Sequence, residues 1–181
     1  MIQRRAMLAI AGTLAAVPFA RKPLAAERLP ELARMLQKRQ PPARPPSIVF
    51  TDASGAAHSL EEFRGRGMVV NLWATWCVPC VAEMPSLEVL SRALAASDIA
   101  VLPLSSDRGG VAKVTAFYRE RGITALPILL DPRGAIGQAW GIVGIPTTLL
   151  IDRQGREVAR VDGAADWSTP QATTLVRTLL S

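Results

Sequence analysis

The chain has 181 residues, 49% of them hydrophobic, with a formal charge of +6, two cysteines and one histidine. That is enough apolar chain for one ordinary domain, with a core that needs no disulfide scaffold, plus an appendage. The positive charge is not on the domain: residues 1–26 carry +4, residues 27–46 carry +3 and residues 47–181 carry −1, which excludes a global basic footprint for nucleic acid.

Residues 1–26 open with Arg4 and Arg5, continue through an apolar stretch from Ala6 to Ala20, and end in Ala25 and Ala26. This is the form of an export signal cut after Ala26. Fifteen residues fall short of the about 20 that a comfortable membrane span takes. The paired arginines, with Leu8 following, loosely match a twin-arginine signal, although its usual aromatic and downstream lysine are missing. An uncleaved anchor in the inner membrane is the alternative, because Leu24 is a mediocre residue three positions before the cut. Either way the domain is expected in the periplasm, where thiols meet oxidising surroundings.

Residues 27–46 are expected to be a short helix followed by a linker. Leu29, Leu32 and Leu36 have helical spacing over 27–39. "QPPARPPS", Gln40 to Ser47, cannot continue a helix and reads as an extended tether. The domain then occupies 47–181. "SIVFTD" and the segment after "ASG" predict a hairpin, and "SLEEF" a helical turn capped by Ser59. Met68 to Ala74 predicts a buried strand, and about Cys77 to Ala96 a helix kinked at Pro85. A second buried strand follows at Ile99–Ser105. The next helix carries Val111, Val114, Phe117 and Tyr118 on one face and ends at Gly122. "LPILLD" is a short strand, "AIGQAWG" a short helix, and "PTTLLID" with "REVARVDG" a hairpin turning at Arg153–Gly155. A last helix runs from about Pro170 to Leu180, capped by Thr169 or Ser168. Strands joined by helices give parallel pairs and the terminal hairpin an antiparallel edge, so the fold class is α/β with a mixed sheet.

Both cysteines fall in "WATWCVPC", Cys77 and Cys80, where a strand hands over to a helix. There the first sulfur lies over unpaired helix N–H groups and the positive end of the helix dipole, which favour thiolate, the nucleophilic form. The second sits one turn in, shielded and within reach of a disulfide. Pro79 stiffens the turn and gives up a hydrogen that the first helical turn does not use. Thiol exchange follows from this placement. A purely structural staple is a weak rival, because a two-residue loop restricts the unfolded chain little. A closed zinc site needs four ligands, too many for this chain. Copper(I) held by Cys77 and Cys80 with Met84 is chemically open. "GIPTT", Gly144–Thr148, places Pro146 just before a strand, and from sequence alone an ordinary trans peptide is the better expectation. His58 reads as a surface residue, and Trp140 and Trp167 as packing.

Taken together, "NLWATWCVPCVAEMPSL" and, some 60 residues later, "GIPTTLLIDRQGREVARVDG" resemble the thioredoxin superfamily, and within it the exported TlpA/ResA-like thiol:disulfide oxidoreductases. The resemblance spans about Ser47 to Ser181 and includes Trp73, Trp76 and Pro85. It implies a three-layer α/β/α thioredoxin-like fold with a central mixed sheet and an N-terminal β-hairpin extension. It also implies a cis Ile145–Pro146 peptide packed on a redox-active Cys77–Cys80 pair. The catalytic set would be Cys77, Cys80, Glu83 and Pro146, with Trp76, Pro79 and Ile145 against the substrate chain. Two positions depart from ordinary thioredoxin. Asn71 stands where that family has a buried aspartate, and Glu83 matches an acidic residue of the TlpA/ResA branch, which makes it the candidate proton acceptor and donor for Cys80. No cofactor and no metal is implied. The expected partners are protein disulfides, in apocytochromes c or copper-site proteins of cytochrome oxidase, with a membrane thiol carrier as electron donor and no nucleic acid. A copper(I)-binding assembly module is the first rival function. A thioredoxin-fold peroxidase is the second, and Trp76 and the nearby Cys80 speak against it.

Overall fold

Strand β4, Gly67–Trp73, is buried at every residue, as its nearly unbroken apolar run requires. It lies between β5 (Ile99–Ser105), which it pairs with in parallel, and β7 (Thr147–Ile151), antiparallel to it. The computed structural model describes residues 31–47 and 49–180. Around that centre the chain order is α1 (Glu31–Met35), β1 (Leu36–Ala43), β2 (Val49–Asp52), β3 (Ala57–Ser59), a 3₁₀ turn (Leu60–Phe63), β4, α2 (Val78–Leu94) and β5. Then come α3 (Gly110–Arg121), β6 (Leu129–Leu130), α4 (Ala135–Ala139), β7, β8 (Glu157–Asp162) and α5 (Pro170–Leu180). The strands form one eight-stranded sheet in the order β1-β8-β7-β4-β5-β6-β2-β3.

Side chains alternate across this sheet. Val69 and Trp73 point into one core with Met84, Leu87, Phe117, Val176 and Leu180 from α2, α3 and α5. Met68, Val70 and Leu72 point into the other with Phe50, Leu60 and Ile136, under the 3₁₀ turn and α4. The sheet is mixed as expected, and the hairpin β2–β3 extends its far end through an antiparallel pairing of β2 with β6. Helix α2 runs through Pro85 unbroken, with that proline on its exposed side. Helix α3 ends at Gly122, whose φ of 66° is the left-handed conformation that glycine adopts freely. Thr169 caps α5, its Oγ1 accepting from Ala172 N at 3.1 Å. His58 is not simply a surface residue: its ring bridges the Glu62 and Asp52 carboxylates, at 2.8 and 3.1 Å, and pins the hairpin to the turn. These hydrogen bonds, Glu62 first, raise the affinity of His58 for its proton.

The region before residue 47 differs from the expectation. The helix stops at Met35, and Leu36–Ala43 is a strand at the edge of the sheet, antiparallel to β8 with Leu36 opposite Val161 and Lys38 opposite Ala159. The domain therefore begins before Ser47, and "QPPA" is strand rather than tether. The physical reason is that an extended proline segment can serve an edge strand, where the missing N–H groups face away from the ladder or sit in a bulge. The register indeed shifts between Lys38 and Ala43. Leu32 is buried beneath it, and Arg39 pairs with the buried Glu157 at 3.1 Å. The leader, residues 1–26, lies outside the described residues, among which no helix is long and apolar enough to cross a membrane.

Gly67 has the least room of the described glycines: a Cβ there would come 2.7 Å from Leu180 Cβ and 3.0 Å from Leu180 O. Gly67→Ala is therefore expected to lower unfolding free energy by about 1–3 kcal/mol through overpacking of α5 on β4, read as a lower urea midpoint at unchanged m-value.

Candidate active site

Strand β4 ends at Trp73, and the chain turns through Ala74, Thr75 and Trp76 before α2 begins at Val78. Cys77 is the N-cap of α2: its Sγ lies 3.3 Å from Cys80 N, so one of the helix's free N–H groups is aimed at the sulfur. Cys77 and Cys80 form a disulfide with a Cα–Cα distance of 5.2 Å. Both sulfurs are more enclosed than a nucleophile at a helix N-terminus suggests, with Cys77 at 6% exposure and Cys80 at 1%. The order between them is nevertheless the expected one. Trp76, 68% exposed, and Val78, 81% exposed, stand beside them, and Pro79 is exposed as well. Trp76 thus flanks the disulfide without shutting it off.

The second element is the loop before β7. Its Ile145–Pro146 peptide is cis, contrary to what the residues alone suggest and as the resemblance implies. Pro146 is buried, and the Ile145 carbonyl oxygen lies 3.7 Å from Cys77 Sγ. In the disulfide that sulfur has no hydrogen, so this is a contact; a reduced Cys77 thiol would donate there.

Glu83 follows Cys80 by one turn on α2. It is not a solvated surface glutamate but 3% exposed. Its Oε1 accepts from Trp167 Nε1 at 2.5 Å and Ala165 N at 3.2 Å, and its Oε2 from Asn71 Nδ2 at 3.3 Å. Burial raises its proton affinity above the ordinary glutamate range, and those three donors pull the other way without cancelling the effect. None of its partners among the described residues is Cys80. Asn71 also donates to Thr148 Oγ1 at 2.9 Å, while its own Oδ1 is buried with no partner. An amide can turn over by exchanging its oxygen and nitrogen, so Asn71 has an acceptor in reserve for a protonated Glu83.

Two residues of the site go beyond the sequence reading, which takes Trp167 only as packing and does not single out Asp107. Trp167, fully buried, is more than packing, since its indole N–H holds the Glu83 carboxylate. Asp107, 3% exposed, anchors the turn before Cys77: its carboxylate accepts from Thr75 N at 2.8 Å, Thr75 Oγ1 at 2.6 Å and Ser105 Oγ at 2.8 Å. Met84, a candidate copper ligand, is fully buried in the same core as the two cysteines. Among the described residues no group of three or more His, Cys, Asp or Glu gathers as a metal site.

A disulfide capping the helix that follows a central strand, with a cis proline loop laid against it, defines the thioredoxin-like class of thiol:disulfide exchange proteins. The Redoxin family pattern matches residues 40–176, and the chain belongs to that family. Among its relatives are the thiol-disulfide oxidoreductases ResA of Bacillus thuringiensis subsp. konkukian and of Bacillus anthracis. The first is 31% identical over 118 residues, covering 65% of this chain and 67% of that one. The second is 31% identical over 127 residues, covering 70% and 72%. The DsbF homologue of Corynebacterium diphtheriae has the same fold, with a TM-score of 0.66 at 22% identity over 81% of this chain and 93% of that one. The protein is thus a ResA-like thiol-disulfide oxidoreductase acting on protein disulfides.

Proposed function

We propose that the chain is a periplasmic reductant of partner-protein disulfides, in cytochrome c maturation or in assembly of the cytochrome oxidase copper site, re-reduced by a membrane thiol carrier. Residues 1–26 would export it or tether it to the inner membrane. The observation that supports the reading is the unequal placement of the two sulfurs: Cys77 caps α2 beside an exposed tryptophan, and Cys80 is buried on α2 one turn before the buried Glu83.

In the reduced chain, Cys77 is the thiolate, held by the Cys80 N–H and the N-terminus of α2. It attacks one sulfur of the partner's disulfide, a Cys77–partner bond forms, and the other partner sulfur leaves as thiolate and takes up a proton. Cys80 then gives its proton to Glu83 through a water and attacks Cys77 Sγ. The mixed disulfide breaks, the Cys77–Cys80 bond closes, and the second partner sulfur leaves as a thiol. Two electrons pass from this chain to the partner. Pro146 shapes the loop that presents Ile145, whose backbone pairs with the incoming segment, and Trp76 and Pro79 form the contact surface.

The test is the equilibrium reduction potential of the Cys77–Cys80 pair against glutathione. A reductant is expected to lie near thioredoxin's value of about −270 mV; a value close to about −120 mV, that of strong disulfide-forming oxidants, would reverse the assigned direction.

A further inference from the structure

Three of the large apolar side chains most exposed to solvent, Trp76, Val78 and Val143, stand at or beside the disulfide end of the molecule, with Val143 fully exposed. Exposed apolar groups gathered at one place mark a surface that something covers. Here they border a defined shape. A cleft of about 210 Å³ is walled by Trp76, Ile142, Val143, Ile145 and Gly137. Its one carboxylate, Asp131, is 6% exposed and accepts from Ala135 N and Ile136 N at 2.9 Å, so its oxygens are engaged in capping α4.

A second cleft, of about 570 Å³, adjoins it, and the two share Trp76, Ser106 and Gly134 in their lining. Its character is opposite. Arg108, Lys113 and Arg133 line it, all exposed and none with an ion-pair partner among the described residues. The carboxylate of Asp107, at its base, is occupied by Thr75 and Ser105. The exposed charges that this cleft shows to a partner are therefore all positive, the one carboxylate in its lining, Asp107, being 3% exposed.

We infer that the two clefts are one bipartite recognition surface for an extended segment of the substrate protein, whose disulfide cysteine carries an aliphatic residue on one side and an acidic residue on the other. The aliphatic side chain enters the Val143–Ile145 cleft, the cysteine meets Cys77 beside Trp76, and the carboxylate reaches Arg108 and Arg133. This rests on the exchange reading above and names the substrate class for it. Unpaired surface cations act mainly by raising the encounter rate of an oppositely charged partner, so the preference is kinetic and sensitive to salt.

The test uses the reduced full chain and short peptides with one cysteine, held as a mixed disulfide with mercaptoethanol, flanked by Leu on one side and Asp or Lys on the other, in both orders. Cys77 sulfur bonds to the peptide sulfur and mercaptoethanol leaves as the thiol. Cys80 then closes on Cys77 and the peptide thiol leaves, so two electrons and two protons pass from the dithiol to the probe. Rates are read by acid quench and mass, each relative to the rate with neutral 2-hydroxyethyl disulfide, so that a change in thiol reactivity divides out. In one order at least, the Asp peptide is expected to react about fivefold faster than its Lys counterpart at low salt, the gap closing by about 0.5 M salt. The double substitution Arg108→Glu with Arg133→Glu is expected to invert the preference, and Leu→Ser in the peptide to slow Asp and Lys forms alike. Equal Asp and Lys rates in both orders, or a preference that survives the double substitution, would overturn the basic half. Indifference to Leu→Ser would overturn the apolar half. Absence of any reaction with 2-hydroxyethyl disulfide would instead overturn the exchange reading beneath both.

Discussion

Cys80→Ser is expected to turn the protein into a trap, accumulating a stable mixed disulfide between Cys77 and its partner, while Cys77→Ser captures nothing and loses disulfide reduction by on the order of 1000-fold or more. The asymmetry follows from position. Cys77 is the sulfur with an N–H of α2 aimed at it and the Ile145 carbonyl 3.7 Å away, at the rim that Trp76 and Val78 border. Cys80 is 1% exposed, and a partner sulfur cannot reach it without opening α2. A serine at position 80 has no thiolate with which to break the mixed disulfide, so the reaction stops halfway. Neither variant is expected to unfold, because so short a disulfide loop constrains the unfolded chain little. Non-reducing electrophoresis of the two variants with periplasmic extract reads the result, and capture by Cys77→Ser instead of Cys80→Ser would reverse the assignment of attacker and resolver.

Glu83→Gln is expected to slow the resolving step by about 10- to 100-fold, at the low end of general acid–base effects, and to flatten its pH dependence. The substitution keeps the shape: the amide oxygen can still accept from Trp167 and Ala165, and the amide nitrogen can donate to Asn71 once Asn71 turns its unpartnered Oδ1 towards it. What the variant loses, on the proposed role of Glu83, is the ability to take a proton from Cys80. A second readout separates that role from a merely structural one. Burial holds the Glu83 proton more tightly in the folded chain than in the unfolded chain, whose ordinary value is 4.5. Below that value both states carry the proton, and the full benefit of the buried acid is present. As pH rises, the unfolded state releases the proton first, so the wild type loses stability relative to Glu83→Gln until pH passes the raised folded value, after which the difference is constant. Denaturation of the pair across pH 4 to 9 measures it. A stability difference that does not change with pH would mean that Glu83 holds its proton no more tightly in the folded chain than in the unfolded one.

The parts of the site carried by one short segment were legible. Strand, turn, cysteine pair and helix all lie within residues 67–94, and hydrophobic run, N-cap position and Pro79 follow from local rules. The environment of Glu83 was not legible in the same way. Spacing along α2 cannot tell a solvated face from one sealed by an indole 84 positions later. Asp107 is similar: nothing near it in sequence shows that its carboxylate holds Thr75, 32 positions earlier. The first strand failed for a related reason. Leu32 and Leu36 fit one helix, and only a β8 edge more than 100 positions away makes the chain extended from Leu36 while Leu32 stays helical. Motif resemblance supplied the cis peptide at Pro146, which local propensity argues against.

The strand laid over β8 also bears on solubility. Without residues 36–43, β8 would become the outermost strand of the sheet, its main-chain donors and acceptors facing water over Glu157–Asp162, and Glu157 would lose Arg39 and keep Arg160. An open edge of that kind is a template for strand addition from another molecule. The proline-bearing segment is therefore an edge guard: its own outer side, with Pro41 and Pro42 short of N–H groups and Lys38 and Arg39 charged, is a poor surface for continuing the sheet.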